Sequence, residues 1–144
     1  MKNMLAERRV TLKSRAQIGR MGVAGRLVAD VLDRLEHDVR PGISTIELDA
    51  LAEEMIRAAG ATPSFIGVAG RRGPFRHTLC VSIDDEVVHG VPGQRRLRDG
   101  QIVSIDAGAI VDGWHGDAAR TFVVGDVPAS THGLVDTTRR AMYA

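Results

Sequence analysis

The chain is 144 residues long, 44% apolar and 26% charged, the profile of one ordinary globular domain and too short for a large two-lobed enzyme. A formal net charge of +1 and only 3% aromatic residues argue against nucleic acid or an anionic membrane as a bulk partner. The single cysteine, Cys80, excludes an intrachain disulfide, no apolar run approaches the ~20 residues of a membrane span, and "MKNMLAERRVTLKSR" lacks the pattern of a secretory signal; a cytoplasmic protein is the expectation.

In chain order, the spacing predicts a helix from about Arg15 to Val39. Met21, Ala24, Leu27, Val28, Val31, Leu32 and Leu35 recur at three and four, with Arg20, Asp30, Asp33 and Arg34 between them. "RPG" ends it, and "STIE" has the form of a capping box, Ser44 with Glu47, opening a second helix. Leu48, Leu51, Ala52, Met55 and Ile56 supply the apolar face of that helix, and Gly60 is its stop. The Gly-, Pro- and Arg-rich "ATPSFIGVAGRRGPFRH" reads as a long loop, of the kind that is often functional. Three β-like runs follow, "TLCVSID", "QIVSIDAGAIV" and "RTFVVG", and "VDTTRRAMYA" begins a further helix.

Two aspartates stand in this β-rich stretch. "VDGW" carries the Asp-Gly signature of a two-residue hairpin turn at Asp112 and Gly113. If Val111 pairs with Trp114, Asp106 falls opposite Ala119 and Asp117 opposite Gly108. Both aspartates then project from one sheet face as diagonal neighbours, their backbones roughly 7–8 Å apart. That face (Ser104, Asp106, Gly108, His115, Asp117, Ala119, Thr121) is small and polar apart from Ile110. The opposite one (Val103, Ile105, Ala107, Ala109, Val111, Trp114, Phe122) is apolar, with Arg120 as a misfit. Three readings remain open: a solvated face with incidental aspartates, a pair neutralised by Arg95, Arg96 or Arg98, and a site for divalent ions held by hard oxygens. Two aspartates do not complete a first shell, so further donors are required.

"DDEVVHGVPG" puts His89 at the end of an apolar dipeptide, where an imidazole is either a structural hydrogen-bonder or a donor to a substrate carbonyl. His115 shares the face of Asp117 and could contact a metal or orient a ligand. Phe75 and Cys80 read first as ordinary apolar side chains.

"LCVSIDDEVVHGVPG", "DGQIVSIDAGAIVDGWHGDAARTFVVG" and the earlier "RMGVAGRLVADVL" with "VRPGISTIELDALA" together resemble the N-terminal half of a type I methionine aminopeptidase. The resemblance runs from about Leu12 onward. It implies an α/β pita-bread fold, an antiparallel sheet with helices outside, over residues 15–144, preceded by an extension over residues 1–14. It implies removal of the initiator methionine from nascent proteins, near the ribosome, by a water activated between two divalent ions such as Co, Zn, Mn or Fe(II). Carried over by position, Asp106 matches a ligand of one ion and Asp117 the ligand bridging both. His89 matches the histidine that contacts substrate at the scissile peptide, and Phe75 and Cys80 match the lining of the methionine pocket. Arg76 and Asp84 depart from the family pattern, which has proline and asparagine there; Asp84 is expected to add negative charge near the site. The family's other ligands, a histidine and two glutamates, lie in a C-terminal half, so the implied site is incomplete and the chain is expected to be inactive and poorly soluble alone. Two alternatives stand beside this: a prolidase or Xaa-Pro aminopeptidase relative, and a non-catalytic binding module of the same fold.

Overall fold

The computed structural model describes residues 11–70 and 73–144; of the expected N-terminal extension, residues 1–10 lie outside the described residues. Helix α1 (Arg15–Asp38) starts at Ser14, whose side chain and that of Gln17 form a reciprocal capping box. Helix α2 (Thr45–Ala58) starts from the expected box of Ser44 and Glu47, which satisfies backbone donors that the first turn leaves without partners. The apolar stripes meet the expectation in their centres: Ala24, Val28, Val31, Leu32 and Leu35 are buried in α1, and Leu48, Ala52 and Ile56 in α2.

The long loop is more ordered than its composition suggests. It holds β1 (Thr62–Pro63) and a small hairpin of β2 (Ala69–Gly70) and β3 (Gly73–Pro74). The main sheet is antiparallel. Its central strand is β5 (Ile102–Val111), flanked along its whole length by β6 (Trp114–Val123) and on the other side by β4 (Leu79–Ile83) and β1. Helix α3 (Ala129–Met142) begins six residues earlier than "VDTTRRAMYA" and has no buried residue. No described helix is long and apolar enough to cross a membrane.

The sheet face bearing Val103, Ile105, Ala107 and Ala109, each fully buried, forms one core with both helix stripes. Arg120, the misfit on that face, is drawn to α1: its guanidinium lies 2.8 Å from Asp33 and 3.2 Å from Glu36. Helix α1 approaches β6 at Gly116, where an added Cβ would sit 2.4 Å from the carbonyl of Ala24. Replacing Gly116 by alanine must push the helix off the sheet, and we expect a loss of about 1–3 kcal/mol by overpacking, measurable as a lower urea midpoint. An unchanged midpoint would mean that the helix seat is looser than this contact.

Candidate metal centre

The hairpin register is the one required to bring the aspartates together. Val111 pairs with Trp114, Asp106 with Ala119 and Gly108 with Asp117. The turn residues Asp112 and Gly113 both have positive φ, 49° and 78°, as a two-residue turn matched to strand twist demands. Parity then sends Asp106 and Asp117 to the same face.

Their electrostatics point to a missing counter-charge. Asp106 is half-buried, and its Oδ1 is fully buried with no hydrogen-bond partner among the described residues. Burial first, and then the negative charge of Asp117, push the Asp106 carboxyl above its ordinary value, while His89 draws it back. The arginines that might have neutralised the pair are engaged elsewhere: Arg95 pairs with Glu86 at 2.8 Å, and Arg96 with Glu47 at 3.4 Å. Among the described residues no ion pair involves Arg98, Asp106 or Asp117. A buried carboxylate oxygen without a donor, beside a second carboxylate, fits a cation. No group of three or more histidine, cysteine, aspartate or glutamate side chains is gathered for a metal among the described residues, so the arrangement there is a pair of carboxylates.

His89 follows the apolar dipeptide Val87–Val88 outside any strand. It lies in the exposed loop after β4, with φ of 60°. Its neighbour Gly90 fixes it there: the Gly90 N–H donates to Ser82 Oγ at 3.1 Å and its carbonyl accepts from Val81 N–H at 2.8 Å. A Cβ on Gly90 would sit 2.1 Å from the Val81 carbonyl oxygen, so only glycine lets the loop lie this close to β4. Cys80 lies next to the site as the β4 partner of Asp106. It is 8% exposed, and burial, followed by the charge of Asp106, pushes its thiol up to about 11. It stays a neutral, soft wall.

Phe75 is half-buried in the loop tied to Gly67 and Val68 by backbone hydrogen bonds of 2.8 and 2.9 Å, its ring edge-on to His77 at 5.7 Å. Among the described residues no hydrogen bond links Phe75 to the aspartates. Phe65 and Ser64 are loop residues seated on the aspartate-bearing strands. They cover Gly108, the residue opposite Asp117, where a Cβ would meet Ser64 Cβ at 2.8 Å and Phe65 Cε1 at 2.9 Å. Ser64 Oγ also lies 3.2 Å from His115 Nδ1 on the same face. A glycine inside an otherwise side-chain-bearing strand is the signal that marks such a close approach. Asp84, expected to add charge near the site, accepts from the Ile102 N–H at 3.1 Å and serves as a turn anchor.

Sequence comparison agrees with this picture. Residues 19–144 match the model of metallopeptidase family M24. Methionine aminopeptidase 1 of Bacillus subtilis (strain 168) is 44% identical over 134 residues, covering 93% of this chain and 52% of that protein. The crystal structure of methionine aminopeptidase from Rickettsia prowazekii superposes with a TM-score of 0.89 at 33% identity, covering 94% of this chain and 53% of that one. Prolidase from Pyrococcus furiosus shares the fold, with a TM-score of 0.71 at 20% identity over 85% of this chain and 34% of its own length. The chain spans about half the length of the curated relatives it matches. Its helices and antiparallel sheet follow the N-terminal half of the pita-bread arrangement, and with the family match covering all but its first 18 residues, the chain belongs to metallopeptidase family M24.

Proposed function

We propose that residues 15–144 form the N-terminal half of a methionine aminopeptidase catalytic domain, with residues 1–14 as an extension before it. The substrates would be N-terminal methionyl peptides of nascent proteins, which implies a cytoplasmic place of action near the ribosome. The observation that carries this reading is the orphaned, buried Asp106 oxygen on the same face as Asp117, because such a pair is stabilised by cations and destabilised without them.

In this reading Asp106 and Asp117 hold a pair of divalent ions of the Co, Zn, Mn or Fe(II) class. Bound there, the ions would supply water activation and polarisation of the scissile carbonyl. The chain's own residues do the rest. His89, within electrostatic reach of Asp106, donates a hydrogen bond to the substrate carbonyl as charge develops on it. Cys80, protonated, and Phe75 line the slot for the methionine side chain, an apolar wall suited to a thioether. Phe65, over Gly108, adds a second apolar surface.

With two carboxylates where a shell needs at least four donors, the 144-residue chain by itself is expected to show little or no turnover. Purified protein with Mn²⁺ or Co²⁺ on a Met-Ala peptide, run beside an Xaa-Pro peptide, checks this. Robust cleavage of Met-Ala would refute the two-ligand limit, and preference for Xaa-Pro would move the reading to the prolidase branch.

A further inference from the structure

Asp117 is flanked by two glycines, Gly116 before it on β6 and Gly108 opposite it on β5. Glycines weaken a strand interior, having no side chain to pack and more backbone freedom to lose. The hold on this carboxylate must therefore come from outside the ribbon. On the core face α1 supplies it by pressing on Gly116, and on the aspartate face Ser64 and Phe65 close on Gly108.

Ser64 bonds to both strands there. Its backbone N–H donates to the Gly108 carbonyl at 2.9 Å, and its Oγ lies 3.2 Å from Nδ1 of His115. The first bond reaches the residue opposite Asp117. The second reaches the preceding residue of β6 on the same face. Strand β1 fixes the approach, with Thr62 opposite Ile110 and Pro63 opposite Ala109, so Ser64 continues a ladder along β5. A hydroxyl both donates and accepts, which lets the bond to Nδ1 form in either tautomer of the imidazole.

His115 belongs to no cluster of three metal-binding side chains among the described residues, so its part is to hold the strand and not the ion. The residue after Ser64 is Phe65, whose ring edge lies against the same glycine and which stands in the proposed wall of the methionine slot. A single residue thus separates slot from carboxylate. We propose that Ser64, acting through His115, is a positioning residue for Asp117. It holds the β6 segment where Asp106 and Asp117 can share an ion, and it sets Phe65 in register with them. This rests on the reading of that pair as a divalent-ion site.

The test is a double-mutant cycle on Mn²⁺ affinity, read by calorimetry on the full chain and on Ser64→Ala, His115→Ala and the double variant, each shown to be folded by circular dichroism. Either single change should weaken Mn²⁺ binding roughly 2- to 12-fold, the factor set by one neutral hydrogen bond. The double variant should bind no more weakly than the weaker single, because residues that act as one unit are not additive. In EDTA, Ser64→Ala should also move the His115 Nδ1 resonance in nitrogen-15 NMR; an unmoved resonance means that the bond is not made in solution and overturns the proposal. So does wild-type affinity in Ser64→Ala, or single losses that add in the double variant, and either result leaves the proposed function standing. Uptake abolished in His115→Ala and kept in Ser64→Ala makes the imidazole a ligand, again against the proposal. If Ser64→Ala does not fold, His115→Ala decides: a loss within the stated range upholds the positioning role, and no loss or complete loss overturns it. A wild type that takes up no Mn²⁺ removes the divalent-ion reading and the positioning role together.

Discussion

Asp106→Asn should abolish Mn²⁺ uptake in calorimetry and, in EDTA at neutral pH, raise the melting temperature. The two effects share one cause. Burial and the charge of Asp117 hold the Asp106 carboxyl above its ordinary value of 3.8, so the folded chain binds this proton more tightly than the unfolded chain. The associated stability is complete below the ordinary value and is lost as pH rises through the raised folded value. At neutral pH the folded chain therefore carries an ionised, half-buried carboxylate that cations would relieve. Asparagine has nothing to ionise, and its amide can donate toward Asp117. The gain should be on the order of a few degrees for a chain of this length, present at pH 7 and absent in acid. In the wild type, Mn²⁺ should raise the melting temperature instead, since a ligand that binds only the folded state stabilises it. A variant that still takes up Mn²⁺, or one that melts below wild type at pH 7 in EDTA, would remove the electrostatic basis of the site.

Asp49→Ala should destabilise the fold by about 2–6 kcal/mol, the cost of orphaning two buried backbone donors at about 1–3 kcal/mol each. Asp49 is 4% exposed on α2. Its Oδ1 accepts from the N–H groups of Thr78 and Leu79 at 2.9 and 2.8 Å, and its Oδ2 lies 3.2 Å from His77 Nδ1. The carboxylate thus ties helix α2 to the start of β4, whose five residues are all buried. Because β4 carries Cys80 opposite Asp106, the anchor also sets the floor of the candidate site. Against a total stability of about 7–20 kcal/mol for a chain of this length, the loss would be plain in urea denaturation. Asp49→Asn keeps an acceptor for both N–H groups and should recover most of it. If the alanine variant stays within about 1 kcal/mol of wild type, water replaces the carboxylate and the anchor is dispensable.

Asp49 shows how far local pattern carries. It interrupts the apolar stripe of α2 beside Leu48 and Ala52, and an acidic residue there signals a buried acceptor, but its donors lie about thirty residues on, in a strand that only folding brings near. The loop before that strand was equally opaque. Its glycines and prolines announce a break in regular structure, yet the seating of Ser64 and Phe65 over Gly108 depends on β1 pairing with β5, and a two-residue strand has no periodicity to read. His89 was visible as chemistry alone, because the close approach of Gly90 to Val81 that seats its loop is a contact between distant backbones.

The amino-acid sequence by itself determined the two capped helices, the Asp112–Gly113 hairpin and the side of the ribbon that Asp106 and Asp117 occupy. Each follows from rules acting within one turn of helix or across one tight turn, where neighbours in sequence are neighbours in space. Only the tertiary structure decided that Arg95 and Arg96 turn away to other carboxylates, that Asp106 Oδ1 is buried without a donor, and that one sheet face is sealed by helices while the other stays open. Burial and charge compensation are sums over the whole packed molecule, and no stretch of chain contains them.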